Sequence, residues 1–189
     1  MAADLDRANT AANTTARTAG RWDDLGLPLD VGADIASAAA RVGHHVWLSA
    51  RLFEITGGWA THAQHPALVI GFASVSTRFA WQAAEWRRRL PRLREVDQQT
   101  LIRQPSARSA VVLDDLAATA PSERLAALEL LVPMLHGYYG SISADASPLR
   151  DGPVLRTLER IRSDLTRMAD EIGDIRHVMG RTDLRFPDP

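Results

Sequence analysis

Two residue types are missing from this sequence of 189 residues: it contains no cysteine, and every basic side chain other than histidine is arginine, because lysine is absent too. The lack of cysteine excludes disulfide bonds, cysteine-ligated zinc, iron–sulfur clusters and thiol catalysis. The lack of lysine excludes Schiff-base chemistry and the lysine of a Walker phosphate-binding loop. A basic set made only of arginine also hints at a GC-rich bacterial genome.

Net charge and long apolar runs are scarce as well. The formal net charge is −1 and the pI is about 6.6, so no overall field attracts the chain to nucleic acid or to an anionic membrane. The longest apolar run, Ala67–Ala73, is far shorter than the roughly 20 residues that span a bilayer. Residues 1–20 lack the apolar core of a secretory signal. We therefore expect a cytoplasmic protein that binds neither nucleic acid nor a membrane.

The composition fits one globular domain, since 46% of the residues are hydrophobic and the length is enough for a sizeable core. We predict a flexible leader at residues 1–20, a single helical domain at 21–179 and a loose tail at 180–189, because the two ends carry few apolar side chains. Residues 21–32 contain Trp22 and three leucines. We expect this part of the domain to lie against the helices as an irregular strap.

Apolar side chains recur three and four residues apart, the period of a helix, in four long segments, whereas the alternating pattern of strands is absent. The first helix is predicted to begin after an N-cap at Asp34 and to end or kink at Gly57 and Gly58. The second helix is predicted to begin near Pro66 and to stop at Pro91.

The third helix is predicted to open at Pro121 and to kink at Pro133, since an internal proline removes one backbone hydrogen bond. Residues 92–120 form a long connection before it, with one or two helical turns at Val111–Leu116. Four helices with one long link between the second and the third predict an all-α four-helix bundle with a crossover connection.

The fourth helix is predicted to follow the turn at Asp151–Pro153 and has the most regular pattern in the chain. Its aliphatic seam consists of Leu155, Leu158, Ile161, Leu165, Met168, Ile172 and Ile175. We expect this seam to leave no polar group facing inward. Two pairs with a spacing of four residues, Arg160 with Asp164 and Arg167 with Glu171, are expected on the outer surface.

Several segments of the chain resemble ferritin-like proteins of actinobacteria. The resemblance lies in Arg51-Leu52-Phe53-Glu54-Ile55, Trp81-Gln82-Ala83-Ala84-Glu85-Trp86, Leu90-Pro91 and the turn Ser147-Pro148…Asp151-Gly152-Pro153, and it covers about residues 40–175. It implies a ferritin-like bundle that holds a metal pair or a small molecule between its helices. It implies no particular substrate.

The ligand pattern of such bundles can be compared with this chain residue by residue. A di-iron site takes one glutamate from each of two helices and a Glu-x-x-His pair from each of the other two. Glu54 and Glu129 fit the single glutamates, but Glu85 is followed by Arg88 where a histidine would stand, and Glu-x-x-His occurs nowhere in the chain. We therefore expect no cofactor. The alternative is an oxidative metalloenzyme with iron or manganese at Glu54, Glu85, Glu129 and His136.

Five side chains are the candidate functional residues. Glu129 and His136 lie two turns apart on the third helix, as a catalytic base and its orienting partner would, although an ordinary half-buried pair has the same spacing. Gln82 interrupts an apolar stripe, and Trp86 and Tyr139 are placed to line the interior, so these three are the predicted ligand-binding residues. We also predict that Gln82, Glu129 and His136 share hydrogen bonds, because buried polar groups need partners.

Other conspicuous residues have both a functional and an ordinary interpretation. His62 and His65 have the spacing of metal ligands, but their position between two predicted helices favours a surface loop. His44 and His45 cannot both face inward, so one is expected at the edge of the core and the other in solvent. The tyrosines and tryptophans either line a pocket or simply pack. The arginine-rich stretch 86–94 either grips an anion or complements the helix dipole.

We expect the protein to be a binding module for a small apolar or anionic molecule or for a protein partner. Homodimerisation through a leftover apolar face is a further expectation. Whether the protein is an enzyme stays open. The alternatives are the metalloenzyme described above and a metal-free acid–base catalyst that uses Glu129 and His136 on a substrate held near Gln82.

Overall fold

The structure is a computed structural model that describes residues 35–92, 94 and 96–182, apart from the side chains at 145, 150, 181 and 182. These residues form six α-helices and one short 3-10 segment at Pro121–Glu123, and they contain no strand. The helices are α1 (Ile35–His62), α2 (Pro66–Arg87), α3 (Gln98–Leu101), α4 (Ala107–Ala117), α5 (Arg124–Asp145) and α6 (Pro148–Thr182). The predicted all-α class is confirmed.

Some predictions concern residues that the structure does not describe. The leader at 1–20, the strap at 21–32, the cap at Asp34 and the tail beyond Thr182 lie outside the described residues. α6 continues to Thr182, past the predicted start of the tail at 180. None of the described helices is both long enough and apolar enough to cross a membrane.

Gly57 and Gly58 lie near the end of α1, close to its boundary with α2. α1 continues through Gly57 and Gly58 to His62, so the predicted helix end at these glycines is wrong. A Cβ atom on Gly57 would lie 3.0 Å from the Ser76 hydroxyl oxygen, which itself donates a hydrogen bond to the Phe53 carbonyl at 2.9 Å. Gly57 therefore allows α1 and α2 to approach closely rather than ending α1. α2 begins at Pro66 as predicted.

The start of α6 differs from the prediction for a local reason. The helix begins at Pro148 rather than after Asp151–Pro153, and Pro153 lies inside it. The Asp151 carboxylate accepts a hydrogen bond from the Ser147 N–H at 2.9 Å, which satisfies a donor at the helix start. Pro148 occupies the first helical position, where a missing N–H costs nothing. The cap at Ser147 therefore sets the helix start, upstream of the predicted turn.

The long connection contains more helix than predicted. α4 spans Ala107–Ala117, about three turns, and the Ser106 hydroxyl caps it by accepting a hydrogen bond from the Ser109 N–H at 3.1 Å. α5 begins at Arg124, directly after the 3-10 segment, and continues through Pro133.

Each of the four long helices packs antiparallel against two neighbours. For α1, the contacts are Trp59–Phe72 and His45–Trp86 with α2, and Trp59–Arg124 and His45–Tyr138 with α5. For α6, they are Ser74–Glu171 and Glu85–Arg160 with α2, and Glu129–Arg176 and Gly140–Arg162 with α5. α2 and α5 therefore run in the same direction.

Apolar side chains from these helices form one core. The middle of the predicted α6 seam is buried, at Leu158, Ile161, Leu165, Met168 and Ile172, while the two end residues of the seam are only partly covered. Each fully buried leucine or isoleucine stabilises the fold by about 1.5–3 kcal/mol relative to exposure.

Candidate functional site

A row of charged and polar side chains, here the α2–α6 ladder, joins two of the long helices. It consists of Ser74, Arg78, Gln82 and Glu85 on α2 and Arg160, Asp164 and Glu171 on α6. The buried Asp164 carboxylate accepts hydrogen bonds from an Arg78 guanidinium nitrogen at 2.5 Å and from the Gln82 amide at 3.1 Å. The other terminal nitrogen of Arg78 pairs with Glu171, which also accepts a hydrogen bond from the Ser74 hydroxyl at 3.3 Å.

Two expectations about α6 are therefore wrong. Asp164 and Glu171 do not pair with arginines of their own helix, because Arg78 on α2 holds both of them. The inward side of α6 is not wholly aliphatic either, since Asp164 and Thr157 are buried among its apolar residues. Asp164 directly precedes Leu165 of the seam, and at that position it faces α2 rather than solvent.

Among the described residues, the most deeply buried carboxylate belongs to Glu85, which is only 1% exposed. It forms ion pairs with Arg88 and with Arg160, the latter at 2.7 Å, and the Arg160 guanidinium also lies over the Trp81 ring, 5.6 Å from the ring centroid. Two cations thus occupy the oxygens through which Glu85 would bind a metal ion.

The other residues of the alternative metal set lie elsewhere. Glu129 forms a two-pronged ion pair with Arg176, with both nitrogen–oxygen distances 2.7 Å, and 35% of its side chain is exposed. Glu54 is exposed and pairs with Arg51 at 3.0 Å. Within residues 35–92, 94 and 96–182, no group of three or more histidine, aspartate or glutamate side chains is placed to share an ion.

The predicted polar group of Gln82, Glu129 and His136 does not form. Gln82 bonds to Asp164 and Glu129 bonds to Arg176, while His136 lines a groove between α5 and α6. The side chains of Glu129 and His136 are on the same side of the helix, but they are two turns apart and meet different parts of α6. Their shared side was predictable from spacing, whereas the partners that α6 supplies were not.

Trp86 and Tyr139, predicted as ligand-binding residues, do come together inside the protein. With His45 and Tyr138 they form what we call the aromatic cluster, and Trp86 and Tyr139 have ring centroids 5.8 Å apart. The His45 ring lies 4.6 Å from Trp86 and 5.5 Å from Tyr139. All of these except Tyr138 are fully buried, so the cluster is part of the core.

Burial controls the charge of this cluster. It lowers the pKa of His45 to about 3, and repulsion from His44 and Arg41 adds to the effect, so His45 is neutral near pH 7. Burial also raises the pKa of Tyr139 to about 12 and raises the pKa of Tyr138. Neither His45 Nδ1 nor the Tyr138 hydroxyl has a hydrogen-bond partner among the described residues.

His45 was not predicted as a functional residue, although a signal for its burial was present. It lies on the same stripe of α1 as Val42, Ser49 and Leu52, with spacings of three and four residues, and all of these are buried. Neither histidine of the pair is fully solvated, because His44 is half-buried at the surface. His62 ends α1, and His65 caps α2 by accepting a hydrogen bond from the Ala67 N–H at 3.2 Å.

An open groove of about 500 Å³, here the α5–α6 groove, runs between those two helices. Its lining residues are His136 and Ser143 from α5 and Leu155, Arg156, Glu159, Arg162, Ser163 and Thr166 from α6. The Arg162 guanidinium lies against the backbone of α5 at Gly140, where an added Cβ atom would be 3.5 Å from its terminal nitrogen and 3.6 Å from its central carbon. A Cβ atom at this position would therefore be in ordinary van der Waals contact with the flat guanidinium.

The charges of this groove differ from those of the ladder. Arg162 is half-buried, its Nε atom is shielded from solvent, and that atom has no hydrogen-bond partner in the part of the chain that the structure describes. Neither Arg156 nor Arg162 forms an ion pair with a described residue, although Glu159 lies three residues from each. The two arginines thus bring several hydrogen-bond donors to the α5–α6 groove, and neither of them is paired with a carboxylate there. Such a site suits a carboxylate or phosphate group.

Comparison of the chain with protein-family models, with curated proteins and with solved structures finds no match.

Proposed function

We propose that this protein is a ligand-binding helical module and that its ligand is a small anion held in the α5–α6 groove. The observation that carries the proposal is the Arg162 guanidinium, half-buried against Gly140 with a shielded and unpartnered Nε atom. The ligand class is a carboxylate or phosphate of one or two negative charges. The proposal concerns binding and includes no catalytic step.

The physical reason is the cost of an unpaired buried donor. A shielded donor without a partner costs about 1–3 kcal/mol, and more when the group is charged. The guanidinium presents its donors in a planar fork that matches the two oxygens of a carboxylate or phosphate. An oxyanion in the groove would meet the terminal nitrogens of this fork, which unlike Nε are not shielded, so it would pair the charge of Arg162 while the cost at Nε remains.

The other lining residues favour a small ligand with a modest charge. Arg156 supplies a second cation and His136 a ring nitrogen, while Leu155 supplies an apolar wall. Glu159 is the only acidic residue among the described ones that line the groove, and its negative charge lowers the attraction for highly charged anions. We therefore favour a monoanion, or a ligand that also donates a hydrogen bond to Glu159.

We also propose that the architecture is a four-helix bundle of ferritin-like build with one crossover connection. The antiparallel packing of α1 and α6 against both α2 and α5 supports this. Because α2 and α5 run in the same direction, the chain between Arg87 and Arg124 has to travel the length of the helices. Binding is favoured over the metalloenzyme alternative, because arginines occupy the Glu85 and Glu129 carboxylates.

The test is a binding titration of the purified protein with inorganic phosphate, acetate and propionate at constant ionic strength, adjusted with chloride. We expect heat of binding by calorimetry and a higher melting temperature with at least one of these anions. Arg162→Gln should weaken that binding about 10–100-fold, since charge-assisted hydrogen bonds contribute about 1.5–3 kcal/mol.

The matched control is Arg167→Gln, which removes an exposed arginine from the same helix. It should leave the affinity within about twofold at the ionic strength used, because an exposed charge is strongly screened by salt. Circular dichroism would show that both variants are folded. The proposal fails if no anion binds, or if the two variants bind alike.

A further inference from the structure

A second groove, here the α1 groove, lies where the chain returns across α1 after α3. Its volume is about 640 Å³, and it is lined by His44, Trp47, Ile102, Arg103, Gln104 and Pro105. It shares no residue with the α5–α6 groove, so it can be tested independently of the proposed function.

The walls of the α1 groove are held in place by local structure. A Cβ atom on Gly43 would lie 1.9 Å from the Leu101 carbonyl oxygen, so the glycine is required for the chain to pack directly on α1. α3 is capped by Asp97, whose carboxylate accepts a hydrogen bond from Gln99 N–H at 3.0 Å, and α4 is capped by Ser106. Residues 102–105 therefore form a short span fixed at both ends.

Among the described residues, those that line the α1 groove carry positive charge and no negative charge. Arg103 is exposed and has no ion-pair partner among residues 35–92, 94 and 96–182. His44 is half-buried, and its Nδ1 atom is shielded and has no hydrogen-bond partner within the same described ranges. Burial lowers the pKa of His44 and repulsion from Arg103 lowers it further, and both residues line the groove. An anion in the groove would pair with the exposed Arg103 guanidinium, beside the ring of His44.

Flat and apolar surfaces complete the lining. The Trp47 indole is half-buried on the same face of α1 as His44, three residues away, and Ile102 and Pro105 supply further apolar area. An aromatic ring placed against an indole gains area burial and a favourable ring–ring interaction. The groove thus combines an anion-binding end with a surface that suits a planar ring.

We propose that the α1 groove binds a planar aromatic anion, an aryl carboxylate or aryl phosphate, with its oxyanion at Arg103 and His44 and its ring against Trp47. The shared chemistry is a negatively charged group attached directly to a flat ring.

The test uses benzoate and phenyl phosphate as probes, with cyclohexanecarboxylate and inorganic phosphate as the matching ligands without an aromatic ring. Calorimetric titrations are made on Arg162→Gln protein, in which binding in the α5–α6 groove is weakened and contributes little. We expect benzoate to bind more tightly than cyclohexanecarboxylate, and phenyl phosphate to bind more tightly than inorganic phosphate. Arg103→Gln should weaken the aryl probes about tenfold or more, because it removes the charged donor.

Trp47→Leu should remove the preference for benzoate over cyclohexanecarboxylate while leaving some affinity for both. The control is Arg167→Gln in the same background, which should leave the aryl affinities unchanged. Equal binding of the aryl and cyclohexyl carboxylates, or undiminished binding in Arg103→Gln, would overturn the proposal. If the aryl probes bind here while wild-type protein binds no small anion in the α5–α6 groove, this inference stands and the proposed function falls.

Discussion

The two sides of α6 handle charged side chains in opposite ways. On the side that faces α2, Arg160 meets the buried carboxylate of Glu85. On the side that faces α5, two residues further along the chain, Arg162 meets the bare backbone of Gly140. The residue type is the same, and the neighbouring helix decides whether the cation is paired. A paired charge belongs to the fold, whereas an unpaired charge in a groove is available to a ligand.

Removing the arginine should change the stability of the protein in opposite directions on the two sides of α6. Breaking a buried ion pair strands a charge in a low-dielectric environment, so the loss is large even where the intact pair stabilises little. Removing a shielded donor that has no partner eliminates a cost, so stability is expected to rise. Residues that bind ligands are often kept at such a cost to stability. Substitutions on the two sides of α6 should therefore have opposite effects.

The largest effect is expected from Arg88→Ala combined with Arg160→Ala, which leaves the buried Glu85 carboxylate without a cation. We expect this double variant to lose about 3–5 kcal/mol of unfolding free energy in urea denaturation. Adding Glu85→Met should restore most of the loss, because the stranded charge is then replaced by an apolar side chain of similar length.

The matched control for this experiment is Arg87→Ala combined with Arg167→Ala, two exposed arginines on the same two helices. Each of those changes should alter stability by no more than about 0.5 kcal/mol. If the triple variant with Glu85→Met is as unstable as the double variant, the ladder is not held together by charge pairing, and the contrast between the two sides of α6 disappears.

The aromatic cluster contains a buried polar group that is neither paired with a described residue nor charged. His45 stays neutral, so it does not carry a charge into the core. Folded His45 has a pKa of about 3, whereas an unfolded histidine keeps its ordinary value of 6.5, so below that value the unfolded state binds the extra proton. Stability should therefore fall as the pH decreases from about 6.5 towards 3. His45 should contribute up to about 1.4 kcal/mol per pH unit in that window and nothing above it.

Unfolding free energies of the wild type and of His45→Phe, measured from pH 7 to pH 4, test this. The variant should have a flatter profile, because phenylalanine does not titrate. His177→Gln, which removes an exposed histidine on α6, should keep the wild-type slope. Parallel profiles for wild type and His45→Phe would show that His45 is not shielded from protons in the folded protein.

The helical core was predictable because burial along one helix depends on a period that the sequence displays. The α6 seam and the start of α2 at Pro66 followed from that pattern. His45 was within reach of the same reasoning, since it lies on the stripe of Val42 and Leu52. The expectation that one of the two histidines lies at the edge of the core and the other in solvent came instead from their adjacent positions, which cannot both face inward on a helix.

The ladder and the grooves depend on a different kind of information. Asp164 lies at the border of the α6 seam, and only the approach of α2 decides that it is buried and paired with Arg78. The position of Arg162 opposite Gly140 depends on the register between α5 and α6. Helical periodicity does not contain that register, so both Gln82 and Glu129 were assigned partners that the structure does not give them.

Arg162→Met should show the opposite sign from the ladder variants. We expect the unfolding free energy to rise by about 1 kcal/mol, since the substitution removes a shielded donor and keeps the stem of the side chain against α5. The same protein should lose its affinity for the anion that the wild type binds. Urea denaturation and calorimetry on one preparation measure both quantities. A loss of stability instead would mean that Arg162 serves the fold, as Arg160 does.

The smallest effect concerns Gly140, the α5 residue against which Arg162 lies, and Gly137 of the same helix is the control. Gly140 and Gly137 both lie within α5, where alanine is favoured over glycine by about 0.5–1 kcal/mol. A Cβ atom on Gly137 would meet nothing within 4 Å, whereas one on Gly140 would touch the Arg162 guanidinium at 3.5 Å.

Both alanine variants should therefore be more stable than wild type. Gly140→Ala should also leave anion binding within about twofold of wild type, because 3.5 Å is an ordinary van der Waals distance and the guanidinium does not have to move. The stability of the two variants is compared by their melting temperatures, and their affinity by titration with phosphate or a carboxylate. A loss of affinity in Gly140→Ala but not in Gly137→Ala would contradict this expectation and would mean that the close approach of Arg162 to α5 matters for the ligand.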